Sequence, residues 1–253
     1  MKTIAIANQK GGVSKTTTAH ALISGLTLKG YRVLGVDLDR QRNLSTTMRA
    51  STDTKTALGV LTGDITAKEA IRHTEDGDII PANKALSGAD AIITETGKEY
   101  RLKEALEPVG GEYDYCILDC PPALGIITVN ALTAANGVII PAQADIYSLE
   151  GITDLQETIQ PVRKYCNNAL RIEGILLTRY NPRSILSKDV TTLAGSLAEK
   201  LGTYLYKATI REGVAVKEAQ ISKESLFKYA PRAKVTLDYK AFVEEFLERT
   251  RED

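Results

Sequence analysis

Residues 3–17 read Thr-Ile-Ala-Ile-Ala-Asn-Gln-Lys-Gly-Gly-Val-Ser-Lys-Thr-Thr. An apolar run of strand character breaks into a glycine-bearing turn. Beyond it, Ala19, Leu22, Ile23 and Leu26 recur at helical spacing. A strand, a tight turn and a helix in this order place several backbone N–H groups and a helix N-terminus around one point, which is a phosphate site. The expected cradle is Gly11, Gly12, Val13, Ser14 and Lys15. Lys15 is placed to bring a full charge to the β- and γ-phosphates, and Thr16, followed by Thr17, to bring a hydroxyl to Mg²⁺.

Two further segments carry acids where such a site needs them. Asp37 and Asp39 close a second apolar run and share a face of an extended segment. One is expected near the metal and the other nearer the mouth of the site. Asp119 ends the apolar run Tyr115–Asp119 and is followed at once by Pro121 and Pro122. A buried strand that delivers one carboxylate to a Mg²⁺ shell has this form.

Short apolar runs at Thr3–Ala7, Val33–Asp37, Asp78–Pro81, Tyr115–Asp119, Val138–Pro141 and Ile172–Thr178 alternate with helical patterns, among them Leu149, Ile152, Leu155, Ile159 and Val162. The expected architecture is α/β, a mostly parallel twisted sheet with helices on both faces and ligands beyond the carboxyl ends of its strands. A chain of 253 residues fits one such domain over 1–253. The segment 43–76 is the hardest to read, with weak helical patches at Thr56–Leu61 and Thr66–Arg72.

Lys+Arg and Asp+Glu each total 32, so net charge is uninformative, but residues 160–240 hold fifteen Lys/Arg against seven Asp/Glu. That excess suits an anionic surface partner, or else a solvated, intermixed face. Three unpaired cysteines fit buried thiols in a reducing compartment better than a disulfide framework. No apolar run is long enough for a transmembrane span, and the chain enters its first strand with no signal-peptide pattern before it. The closing stripe of Val235, Tyr239, Phe242, Val243, Phe246 and Leu247 is interleaved with Glu244, Glu245 and Glu248 and followed by Glu252 and Asp253. An anionic bilayer would repel such a helix, so packing on the core is expected, with no membrane partner.

The loop resembles the deviant Walker A pattern K-G-G-x-G-K-[ST]-T of the ParA/MinD family, with Ser14 where that pattern has Gly. The run from Asp37 to Asn43 resembles D-x-D-P-Q-x-N, with Arg40 for Pro, and Tyr113–Pro122 resembles Y-D-x-x-x-x-D-x-P-P. Shorter matches at Asp78–Asn83, Val129–Leu132, Pro141–Asp145, Leu149–Gly151 and Glu218–Ala219 resemble its ParA partition branch.

The resemblance implies a P-loop NTPase (deviant Walker A) fold that binds ATP with Mg²⁺ and hydrolyses it. Lys10 would reach the partner's nucleotide in an ATP-dependent homodimer. Asp39 would orient the attacking water, and Asp37, Asp119 and Thr16 would serve the metal. Loops near Thr178 and Ile210 would meet the adenine. Non-specific DNA would be bound through Arg183, with Lys188, Arg211 and Lys217 as further candidates, because Ala215 occupies the family's second arginine position. A ParB-type partner would stimulate release, and the protein would be cytoplasmic and nucleoid-associated. The alternatives are a MinD-like membrane-positioning ATPase and a regulatory protein switched by nucleotide.

Overall fold

The computed structural model describes residues 1–252. Asp253, counted above among the acids of the last helix, lies outside the described residues. Eight strands form one sheet: β1 Lys2–Ile6, β2 Val33–Asp37, β3 Arg72–Thr74, β4 Gly77–Ile80, β5 Tyr115–Asp119, β6 Gly137–Gln143, β7 Arg171–Tyr180 and β8 Ile210–Arg211. Their order is β3-β4-β2-β5-β1-β6-β7-β8. All neighbouring pairs are parallel except the β3–β4 hairpin.

The six expected strands are present. The hairpin is a correction: Arg72, assigned above to a helical patch, begins β3, and the helix before it stops at Ala70. β8 was also unforeseen; two residues carry no periodicity that could announce a strand.

Six longer helices cover the sheet: α1 Lys15–Leu28, α2 Ile126–Ala134, α3 Ile146–Tyr165, α4 Ile185–Lys200, α5 Val214–Ser222 and α6 Lys234–Glu252. Alternation along β1 shows how the two layers arise. Ile4 and Ile6 point into one apolar cluster with residues of α1 and α6, whereas Ala5 and Ala7 point into a second with residues of α2 and α3. A strand covered on both faces has to be apolar throughout, so it reads as a run and not as an alternating pattern.

α1 ends in a Schellman turn. Gly30, at φ 86°, lets its N–H donate to the Thr27 carbonyl and that of Tyr31 to the Leu26 carbonyl. The chain is thereby turned back into β2.

The stripe on α6 packs inward as expected. Val235, Tyr239, Phe242, Val243, Phe246 and Leu247 are all buried in the cluster shared with α1. Among the described residues no helix is long and apolar enough to cross a membrane. Phe242 is fully buried. Phe242→Ala is therefore expected to cost about 3–5 kcal/mol through lost transfer energy and the cavity left behind. Urea unfolding followed by circular dichroism reads this directly; a midpoint unchanged from wild type would contradict the packing described.

Candidate nucleotide site

The loop between β1 and α1 is shaped by side chains that pin its carbonyl groups from behind. Gln143 Nε2 donates to the Gly12 carbonyl at 2.8 Å. Asn8 Oδ1 accepts from the Lys10 N–H at 2.9 Å while Asn8 Nδ2 donates to the Pro141 carbonyl. The buried Thr178 hydroxyl lies within hydrogen-bond reach of the carbonyls of Val13 (3.2 Å) and Ala142 (3.3 Å). Among the described residues nothing accepts from the backbone N–H groups of Gly11, Gly12, Val13 or Ser14. These are the donors that an anion at the start of α1 would take up.

The loop's shape has a local cost. Gly12 sits at φ 78°, which glycine accepts freely. Ser14 takes the same left-handed region, at φ 68° and ψ 27°, and its side chain caps nothing. A non-glycine residue held there costs about 1–2 kcal/mol. The difference from the family pattern at this position is thus a strained one, and the loop keeps its geometry despite it.

Lys15 is buried, and its Nζ donates to the Lys10 carbonyl at 2.9 Å. Burial pulls its pKa down, and the nearby Asp119, Cys120 and Asp39 oppose that pull. The loop borders a cavity of about 540 Å³, within the usual range for a small-molecule site. Its walls include Thr16, Asp39, Ile210, Arg211, Val216 and Lys217. They arise from the start of α1, the end of β2, β8 and α5, at one side of the sheet.

The acids divide into two kinds. Asp37 and Asp119 end adjacent strands directly in register. Both are buried. Asp37 is well served: Oδ2 accepts from the Ser45 hydroxyl at 2.6 Å and the Ser45 N–H at 2.8 Å, and Oδ1 accepts from the Asp39 N–H at 3.1 Å. Burial still pushes its pKa up to about 6 against those bonds. Among the described residues neither carboxylate oxygen of Asp119 has a hydrogen-bond partner of good geometry. Burial first, and then the charge of Asp37, push its pKa well above the carboxylate range, with the nearby Thr16 hydroxyl pulling the other way.

An orphaned buried carboxylate beside a threonine hydroxyl at a phosphate loop is a donor set that suits Mg²⁺, which takes one or two protein oxygens and fills its shell with water and phosphate. Among the described residues no group of three His, Cys, Asp or Glu side chains could hold a metal alone, so the site is not a closed protein cage. Of the two acids expected near the metal, Asp119 has its oxygens open, whereas those of Asp37 are occupied by Ser45 and Asp39.

The remaining expected residues fall in several places. Lys10 is not among the residues lining its own cavity. Its Nζ is paired with Asp145 at 2.6 Å and lies 5.7 Å from the Tyr147 ring. Ile210 borders the cavity, whereas Thr178 is fully buried beneath the loop, its hydroxyl within reach of the Val13 and Ala142 carbonyls. Its neighbour Arg179, at φ 49° and 3.7 Å from Glu212, lines the cavity instead. Adjacency to Thr178 was the only sequence signal for it.

Arg183 and Lys188 are exposed at the turn before α4 and in its first turns. Lys217 and Arg211 belong to the cavity wall. Arg211 is gripped by Asp238 through both Nε (2.6 Å) and Nη2 (2.8 Å).

Known proteins show the same arrangement of chain. Residues 1–172 match the AAA domain family AAA_31. The sequence is 39% identical over 259 residues to the chromosome partitioning protein ParA of Caulobacter vibrioides, covering 100% of this chain and 96% of that one. It is 40% identical over 243 residues to the sporulation initiation inhibitor protein Soj of Bacillus subtilis, covering 92% and 93%. The solved structure of cobyrinic acid a,c-diamide synthase from Mycobacterium smegmatis, with a bound ATP analogue and magnesium, superposes with a TM-score of 0.86 at 33% identity over 99% of this chain and 96% of that one. The chain belongs to this family, the P-loop NTPases with the AAA_31 domain, and within it to the ParA/Soj type.

Asp119→Asn replaces an unserved buried charge with a neutral amide. At about pH 7.5 it is expected to stabilise the nucleotide-free protein by an amount on the order of 1–3 kcal/mol. The sign with pH follows from the raised folded-state pKa. Folded wild type holds this proton more tightly than unfolded wild type, so wild type gains stability as pH falls and the gap narrows. Thermal melts across that range test it; an Asn variant less stable than wild type throughout would show that Asp119 is already satisfied.

Proposed function

We propose that residues 1–253 act as one ATPase domain in DNA segregation: binding of Mg-ATP joins two copies face to face, the dimer holds DNA non-specifically, and hydrolysis, stimulated by a ParB-type partner, releases it. The nearly full-length similarity to a chromosome partitioning protein and to Soj supports the class of process. The observation that carries the reading is the position of Lys10. The loop holds two lysines, yet only Lys15 serves its own cavity, while Lys10 stands outside it on Asp145. A cation placed there is available to a phosphate that another chain brings.

In this reading the free N–H groups of Gly11 to Ser14 and the ammonium of Lys15 receive the β- and γ-phosphates, with Thr17 beside them. Thr16 and Asp119 hold Mg²⁺, which when bound neutralises charge on the phosphate oxygens. Asp39 orients the attacking water, and Lys10 of the partner copy meets the terminal phosphate. The overall change is ATP and water to ADP and phosphate, and the residues act by positioning and by charge. Arg179, Ile210 and Val216 form the wall available to the base. A membrane-surface role loses its support, because the α6 stripe weighed for it is buried against α1.

Light scattering tests the switch. With ADP the protein should be monomeric and with Mg-ATP dimeric, and Asp39→Ala with Mg-ATP should form the longest-lived dimer. A single mass under all three conditions would refute the clasp. For the DNA surface, Arg183→Ala should weaken binding to random-sequence duplex and flatten its salt dependence, leaving unstimulated turnover near wild type. An unchanged salt slope in filter binding would remove Arg183 from that surface.

A further inference from the structure

Ser45 has no role in the reading given so far, yet it sits where three segments meet. It is fully buried in the short helix Asn43–Thr47, behind residues that line the cavity. Its hydroxyl donates to Asp37 Oδ2 at 2.6 Å and accepts from the Ala82 N–H at 2.9 Å, just past β4. Its own N–H donates to the same Asp37 oxygen at 2.8 Å. One side chain thereby ties the end of β2, the end of β4 and the start of the helix to a single buried carboxylate.

From Asp37 the bonds continue towards the cavity. Asp37 Oδ1 accepts from the Asp39 N–H at 3.1 Å, Asp39 Oδ1 from the Gln41 N–H at 2.9 Å, and the Asp39 carbonyl from the Arg42 N–H at 2.9 Å. Arg42 is held at φ 58°, a conformation that persists only where the surroundings over-determine it. Leu38 is fixed separately, through its N–H to the Asp119 carbonyl at 3.0 Å. The 38–42 turn therefore hangs between two buried acids, and its cavity-facing members are Asp39 and Gln41.

We infer that Ser45 is a positioning residue for hydrolysis: by holding Asp37 it sets the backbone from which Asp39 reaches the attacking water. This rests on the ATPase reading above. Without the Ser45 hydroxyl, Asp37 loses the shorter of its two bonds at Oδ2, and the Ala82 N–H loses its acceptor. The turn then gains freedom while the loop that grips phosphate, pinned by Asn8, Gln143 and Thr178, is untouched. Misplacement of a reacting group by about 1 Å costs on the order of a hundredfold in rate. Ground-state nucleotide binding does not depend on that placement.

The test compares wild type, Ser45→Ala and Ser45→Cys in Mg-ATP turnover, in affinity for a non-hydrolysable ATP analogue, and in thermal melts. Ser45→Cys nearly preserves the volume but offers only a weak S–H donor. For Ser45→Ala, kcat is expected to fall roughly ten- to a hundredfold, with KM and analogue affinity within about threefold of wild type. Ser45→Cys should fall between the two, and it decides by the same split if the alanine variant does not fold. A merely structural serine would lower melting temperature and analogue affinity together and leave turnover per folded molecule unchanged. That result, or turnover within about threefold of wild type in both variants, overturns the inference and leaves the ATPase reading standing. Wild type that binds the analogue but never turns over ATP would overturn that reading, and the inference with it.

Discussion

Two carboxyl groups side by side at the end of a parallel sheet are the constraint around which the site is arranged. The strand order sets β2 against β5, and the register brings Asp37 and Asp119 to the same height, both buried. Like charges so placed raise each other's pKa, and burial adds to the effect. The chain resolves half of the conflict internally, by surrounding Asp37 with three donors, and leaves the other half to Lys15 and to whatever cation joins Asp119. One acid is bonded into the framework, and the other has its oxygens unserved among the described residues. The difference lies in hydrogen bonds and not in residue type.

The two loop lysines divide in a similar way. Lys15 is buried, tied to a carbonyl of the same loop and aimed with α1 at the cavity. Lys10 is half-exposed, and its ion pair belongs to the start of α3, where Asp145 also accepts from the Ser148 N–H as the helix cap. An exposed pair of this kind is worth little, about 0–1 kcal/mol, so Lys10 can leave Asp145 at small cost when a stronger anion is offered.

Much of this was legible in the primary structure, for identifiable reasons. Buried parallel strands are apolar runs, so six of the eight announced themselves. The phosphate loop and the acids at strand ends are local patterns, and they fell at the carboxyl edge as expected. Other features depend on partners far away in the chain. Nothing in the residues near Asp37 says that Ser45 will satisfy it, nor does anything near Arg211 point to Asp238. Nor does the sequence say which residue of the loop near Thr178 turns to the cavity: Thr178 lies beneath the loop and Arg179 lines the wall, because one residue along a strand reverses the face a side chain presents. β3 was misread because three residues between a helix and a hairpin turn are too few to show a period. The basic excess over residues 160–240 is real, and of three ion pairs formed there Arg179–Glu212 and Arg211–Asp238 use acids of the same stretch, so they leave the excess unchanged, whereas Lys228–Glu75 draws on an acid outside it.

The outermost strands also shape how such molecules can meet. One border of the sheet is the three-residue β3, turned antiparallel to its neighbour, and the other is the two-residue β8. A rim this short exposes few unpaired peptide groups for a stranger's backbone to extend, which guards a wide sheet against stacking into ribbons. Copies of this protein therefore have little to gain by growing the sheet sideways, and encounters between them are left to side chains and loops.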